Sequence, residues 1–244
     1  MGAFAKLTWV ELKLFTREPF AVIFTFAFPL IVLIVLINSF QPDDDGFGGA
    51  RPADYYLASY VGVVIAAVCL IALPVHIATY RERGILRRFR ASSIAAWTTI
   101  GAQAVVGLLM TIAGSAILIV FANLVYDAKL PESPGLTLVG FIAGTVTFLA
   151  VGVLLGIVTR NARAAQAVGM MLFFPMFLLA GAGPPPTVMS SGMRAVSDVL
   201  PLTWAVRSLQ GPWLGNGLDW TYPGILLVLL AVATGISIRL FRTA

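Results

Sequence analysis

Charged residues divide the chain into six uninterrupted apolar runs, over residues 20–37, 55–79, 91–125, 136–159, 164–193 and 220–238. At about 1.5 Å of rise per residue, each run can cross the roughly 30 Å of a bilayer's hydrocarbon as a helix, with its backbone groups satisfied internally. Six transmembrane helices are expected, with both ends of the chain on one side. The third run exceeds one bilayer thickness, so its early part is read as continuing the basic segment before it. The fifth also overruns, and it stops at Gly181-Ala182-Gly183-Pro184-Pro185-Pro186, which no helix traverses.

Between and within the runs the pattern is more varied. Leu7, Leu14 and Phe15 lie among Lys6, Glu11, Lys13 and Arg17, which predicts an amphipathic helix over residues 1–19 on the inner leaflet, with Trp9 at headgroup depth. Pro19 opens the first span, where its missing N–H costs nothing, and Pro29 within that span is expected to kink the helix or line a cavity. On the fourth run Gly140, Gly144, Gly152 and Gly156 fall at multiples of four, a smooth face for close packing within the subunit. After the proline break, residues 190–200, with Met193, Val196, Val199 and Leu200 on one face, and residues 201–209 are too short to span. Arg194, Asp198 and Arg207 also interrupt them. They are expected as re-entrant or interfacial helices of an extracellular region over 183–219, beside an aromatic belt of Trp204, Trp213, Trp220 and Tyr222. The fold class is an all-α membrane protein: six transmembrane helices, an amino-terminal amphipathic interfacial helix, and short re-entrant helices before the last span.

Composition agrees with the pattern. A chain of 244 residues that is 59% hydrophobic and 11% charged cannot bury its apolar surface as an ordinary soluble domain. Of sixteen basic residues, twelve fall on the side of the termini and four (Arg51, Lys129, Arg194, Arg207) on the other, which puts both termini in the cytoplasm. The basic balance is then explained by topology, and nucleic acid drops out as a partner. The first run is too long for a signal-peptide core, follows Glu11 and Glu18, and has no Ala-x-Ala site behind it, so it is read as a retained helix. Thirteen arginines against three lysines, with abundant Ala, Gly and Val, suit a GC-rich bacterial source and hence a bacterial plasma membrane.

The chemistry missing from the sequence narrows the function. No charged side chain lies inside a run, so a proton- or ion-coupled transporter loses its usual relay residues, and His76 stands near a helix end without an acidic partner in the spans. Neither Gly-x-Ser-x-Gly nor His-Glu-x-x-His occurs, and no catalytic residue is expected. Asp43-Asp44-Asp45-Gly46 lacks the further spaced ligands of an EF-hand and reads as a solvated turn, so no metal site is expected. The lone Cys69 reads as a small core residue. There is no phosphate-binding loop, so energy for any transport would come from a partner.

The candidate port for that energy is Tyr80-Arg81-Glu82-Arg83-Gly84-Ile85-Leu86-Arg87-Arg88-Phe89-Arg90, set between two uncharged runs. Arg83, Arg87 and Arg90 recur at i, i+4 and i+7, one helical face that suits an acidic protein groove or anionic lipid headgroups. Glu82 would be unfavourable beside anionic lipid, which favours a protein partner. Taken together, four features resemble the ABC-2-type transporter permeases, in particular the drug-resistance and antibiotic-efflux branch. These are Glu11-x5-Arg17-x-Pro19 before a span containing Pro29, Arg81-Glu82-Arg83-x-x-Leu86 after the second span, the proline-rich break, and Pro201-Leu202-Thr203-Trp204-Ala205 before the last span. The resemblance covers essentially the whole chain. It implies a dimer of permeases, identical or paralogous, on two cytoplasmic ATPase subunits that bind the ATP and Mg. It also implies that Glu11, Arg17, Arg81, Glu82, Arg83 and Arg87 lie on the ATPase-coupling face, with residues 80–96 as the coupling segment and Glu82 facing the ATPase cleft. Ser92-Ser93 departs from the family's pattern, where a proline often follows the basic loop.

For a substrate pathway the candidates are Phe24, Phe28 and Pro29 on the first span with Met170, Met171, Phe173, Phe174 and Met176 on the fifth. Methionine and aromatic side chains adapt to apolar guests without directional bonds, so the set points to a hydrophobic or amphipathic drug or lipid-like cargo. The expected function is a membrane permease subunit of an ATP-driven exporter. An ATP-independent facilitator or scaffold is the alternative, and a membrane-embedded enzyme a more remote one.

Overall fold

The computed structural model describes residues 3–15, 17, 19–41, 45–84 and 96–243. Within them every regular element is helical. Helix α1 (Ala3–Phe15) is followed by α2 (Pro19–Val22) and α3 (Phe28–Ser39), with one π turn (Ile23–Ala27) between the last two. A second π turn (Val68–Ala72) joins α4 (Pro52–Ala67) to α5 (Leu73–Glu82) in a single rod. Then come α6 (Ala96–Tyr126), α7 (Pro134–Val158), α8 (Ala162–Leu179), α9 (Ser191–Asp198), α10 (Pro201–Trp213) and α11 (Thr221–Thr243). Five of the helical stretches are long and apolar enough to cross a membrane, and the first run contributes a shorter apolar helix, Thr25–Ser39.

Both π turns have the same cause. Each lies just ahead of a proline, Pro29 or Pro74, whose ring crowds the carbonyl four residues back and which offers no N–H. Widening the preceding turn by one residue relieves the crowding, and Phe28 and Leu73 donate instead to the carbonyls five residues back, Ile23 and Val68. The sequence-based expectation of a kink at Pro29 takes this form, with the proline itself buried.

The rod Pro52–Glu82 is the centre of the molecule: 89% of its apolar window is buried, against 22% for α8 and for α11, which keep broad faces for lipid or another chain. Helices α3, α6, α7, α8 and α10 all pack on it. They come close because glycines meet the rod where its backbone is least covered. Pro74 supplies no hydrogen to the carbonyls of Leu70 and Cys69, four and five residues before it. A β-carbon at Gly169 of α8 would overlap the Leu70 carbonyl, and one at Gly152 of α7 the Cys69 carbonyl. The rest of the α7 glycine stripe runs the same way, with Gly140 on the Ser208 backbone and Gly156 on Ile77. The stripe serves packing within the subunit, as its spacing suggested.

At its amino-terminal end the rod is stapled to the α6–α7 loop. Buried Asp54 accepts from Arg51 Nε at 2.9 Å and Nη2 at 3.0 Å and from the Lys129 amide at 2.7 Å, and Arg51 also reaches the Asp127 carbonyl at 2.7 Å. The two short helices before the last span are present. Ser190 caps α9, whose Met193 and Val196 are exposed, as is Val199 just after it, and α10 lies against α4 and α7. Trp213 departs from the expected aromatic belt: it is buried and donates to the Lys129 carbonyl at 3.0 Å, because α10 packs inward there. Trp220 is exposed.

Candidate functional site

The carboxyl-terminal end of the rod carries two adjacent charges, Arg81 and Glu82, that turn toward the α7–α8 connection. Arg81 Nη1 donates to the carbonyls of Gly156 (3.1 Å), Ile157 and Thr159 (2.9 Å), the uncovered carboxyl end of α7. Glu82 Oε2 accepts from the Ala162 amide at 3.2 Å, the first amide of α8. Helix α7 has no base of its own in its last turn and α8 no acid in its first, so the rod supplies both charges at the ends where the helix dipoles favour them. Asn161 completes the turn by accepting from the Ala164 amide at 2.8 Å. Arg81-Glu82 is therefore a clamp that ties the carboxyl end of the rod to α7 and α8 at once. Glu82 and Arg83 are exposed. Arg87 lies outside the described residues, as do Glu18, Asp43, Asp44, Arg88, Arg90, Ser92 and Ser93.

Midway along the bundle the aromatic residues of the two candidate pathway spans meet. Phe28 on α3 contacts Phe173, Phe174 and Phe177 on α8 at ring-centroid distances of 6.0, 6.2 and 5.3 Å, all edge-on, and Phe173 stacks on Phe177 at 5.8 Å. The rings then continue outward along the rod: Phe177 to Tyr60 at 6.2 Å, Tyr60 to Tyr56 at 6.4 Å, and Tyr56 to Phe40 and Phe47 at 5.9 and 5.5 Å. Tyr56 Oη, otherwise stranded in this apolar column, donates to the Gly183 carbonyl at 3.1 Å in the proline-rich break. The column ends beside a cavity of about 590 Å³ whose lining includes Phe47, Tyr55, Arg207, Gln210 and Tyr222.

Over residues 2–212 the sequence matches the family described as ABC-2 type transporter. The chain belongs to that family. It is an ABC-2 type permease, a multi-pass membrane subunit whose 244 residues include no ATPase domain, and permeases of this family generally pair with an ABC ATPase. None of the curated proteins matches the chain.

In this permease the pathway candidates divide. Phe28, Phe173 and Phe174 come together, and Met170 and Met176 lie partly buried against the same core. Phe173 is 0% exposed and Pro29 is buried, while Phe174 at 38% and Met171 at 71% face outward. The Phe24 backbone lies in the first π turn, and its side chain is outside the described residues. The coupling candidates divide too. Arg17 is exposed, whereas Glu11 is 2% exposed and lies against α5 and α6. It also supplies the acidic neighbour that the spans did not provide for His76, since the two side chains line one small cavity. Residues the sequence reading passed over are Tyr56, Tyr60 and Phe177. The i, i+4 spacings of 56–60 and 173–177 were visible signals of shared faces.

Proposed function

We propose that this ABC-2 permease is the membrane half of an ATP-driven exporter of hydrophobic or amphipathic drug or lipid-like molecules in a bacterial plasma membrane. Both termini are cytoplasmic. Two cytoplasmic ATPase subunits, which bind the ATP and Mg, dock on α1 and on residues 80–96, and a second permease subunit completes the pathway within the lipid. The observation that carries this reading is the Arg81-Glu82 clamp. A pull on the segment beginning at Arg83 reaches α7 through Arg81 and α8 through Glu82, and α8 carries Phe173, Phe174 and Phe177. Motion at the ATPase surface is thereby delivered to the aromatic wall without any intramembrane charge, as alternation between inward- and outward-open states requires.

The substrate class is supported by the outward face of α8, where Met171, Phe174 and Leu178 are exposed at i, i+3 and i+7. That face offers polarisable and aromatic contact and no charged clamp. Helices α9 and α10 act as the re-entrant closure at the outer end, above the aromatic column. The test is reconstitution with the ATPase partner in lipid, screening drugs and lipids for stimulated ATP hydrolysis and mapping a photoreactive stimulating compound. Labelling of Met171, Phe174 or Leu178, with stimulation lost in Glu82→Ala, is expected. Labelling confined to other helices sinks the pathway assignment, and full stimulation in Glu82→Ala sinks the coupling assignment.

A further inference from the structure

A polar cluster at the cytoplasmic end of the bundle is used by neither the clamp nor the aromatic column. Glu11 lies on the face of α1 defined by positions 7, 11, 14 and 15, so its carboxyl is carried into the contact with α6. It helps line a cavity of about 10 Å³ with Leu73, His76, Gln103, Val106 and Gly107. Glu11 Oε1 is buried without a hydrogen-bond partner, and so is Nε2 of Gln103, which is 4% exposed. The cavity has room for about one water, and two such atoms are the polar partners a water needs. Ionised, the same carboxylate would be a charge in a nearly closed apolar site, an arrangement that costs several kcal/mol unless it is paired.

The groups around Glu11 decide what it binds. From α5 come His76 and Tyr80, with Arg83 acting on Tyr80 from beyond it, and from α6 comes Gln103. On α1 itself the Lys13 ammonium stands 5.3 Å from the Trp9 ring centroid, and Arg17 is exposed. We propose that this pocket is a proton site: Glu11 is held as the neutral acid, bridged through one ordered water to Gln103, and its ionisation releases α1 from α6. The proton leaves to cytoplasmic water, and the carboxylate gains the hydration that the docked position denies it. Burial pushes the Glu11 carboxyl above its ordinary value, with the neighbouring polar side chains of Tyr80 and Gln103 opposing that rise. The docked helix thus holds the proton more tightly than the undocked one. Docking is fully favoured below the ordinary carboxylate value of 4.5 and is lost as pH rises through the raised value.

The test uses the full chain in lipid nanodiscs with Cys69 replaced by alanine and spin labels at Val10→Cys and Leu109→Cys, two exposed positions on α1 and α6. Distances are measured from about pH 5 to about pH 9. A single docked population is expected in acid, with an undocked population whose ratio to it grows by up to about tenfold per pH unit, the limit for release of one proton. Glu11→Gln, which mimics the neutral acid, should stay docked throughout, Glu11→Ala should loosen α1 at every pH, and His76→Gln should leave the transition in place. Difference infrared spectra should contain a protonated-carboxyl band that Glu11→Gln removes. A pH-independent distance, undocking of Glu11→Gln, loss of the transition in His76→Gln, or absence of the carboxyl band in acid would each overturn the proposal.

Discussion

Replacing Gly152 with alanine is the sharpest test of how the bundle is held together. The added methyl would overlap the Cys69 carbonyl and press on the Leu73 side chain at 3.1 Å. Leu73 can turn aside, but the carbonyl belongs to the most buried helix in the molecule and cannot. Helix α7 must therefore back away from the rod, at the cost of about 1–3 kcal/mol usual for overpacking. At about 2–4 °C per kcal/mol for a chain of this size, unfolding should move down by about 2–12 °C. Two glycines on the same helix provide the scale. Gly135 has no neighbour within 4 Å of the new atom, and alanine there should be neutral or slightly stabilising. At Gly144 the nearest atom is the Ala205 β-carbon at 3.4 Å, an ordinary contact, and the loss should stay below about 1 kcal/mol. The assay is built into the protein: Cys69 is its single cysteine, is fully buried, and sits at the contact being tested, so a thiol-reactive fluorophore reports when the rod opens. Melting of Gly152→Ala together with wild type, or no lower than Gly144→Ala, would refute the reasoning.

Three further outcomes follow from the same contacts. Arg81→Gln should cost about 1–2 kcal/mol after allowance for exposure, and Glu82→Gln less than about 1 kcal/mol, with amide exchange over residues 159–165 rising severalfold in either; unchanged exchange there removes the clamp. Asp54→Asn should lower stability by about 1–2 kcal/mol by thermal unfolding, because Arg51 and the Lys129 amide lose a charged acceptor, and a melting curve that does not move would mean the Arg51–Asp54 staple is ornamental. Phe177→Ala should cost about 3–5 kcal/mol, since it carries ring contacts to Phe28, Tyr60 and Phe173, whereas exposed Phe174→Ala should leave unfolding nearly unchanged and alter substrate-stimulated ATP hydrolysis instead.

Some of this was legible in the sequence because the bilayer imposes a coarse rule. A helix that crosses hydrocarbon must be apolar for about twenty residues, so the runs give the helices. The α7 stripe was legible for a related reason, since glycines every fourth residue have few uses other than close approach. What periodicity could not supply was the neighbour. Positions 7, 11, 14 and 15 share a face, but whether that face meets lipid or α6 depends on a contact almost a hundred residues away. The Arg81-Glu82 pair stood out in the sequence because an acid among arginines, between two uncharged runs, is unfavourable beside anionic lipid. Its capping of α7 and α8 depends on where Thr159 and Ala162 fall in space. The prolines announced irregular helices without saying that the ladder would widen by one residue rather than break.

That widening has a consequence for registry. A π turn is in effect one residue inserted into a helix, and each residue advances an α-helix by about 100°. Without the π turn at Val68–Ala72, the same rod would point its last turn to a different quarter of the bundle, with Arg81 and Glu82 swung away from the ends of α7 and α8. Pro74 thus acts as a rotational index. The angular setting of the rod's carboxyl end is fixed three turns away, and a one-residue deletion anywhere between Pro74 and Arg81 would disengage the clamp while leaving every apolar run long enough to span.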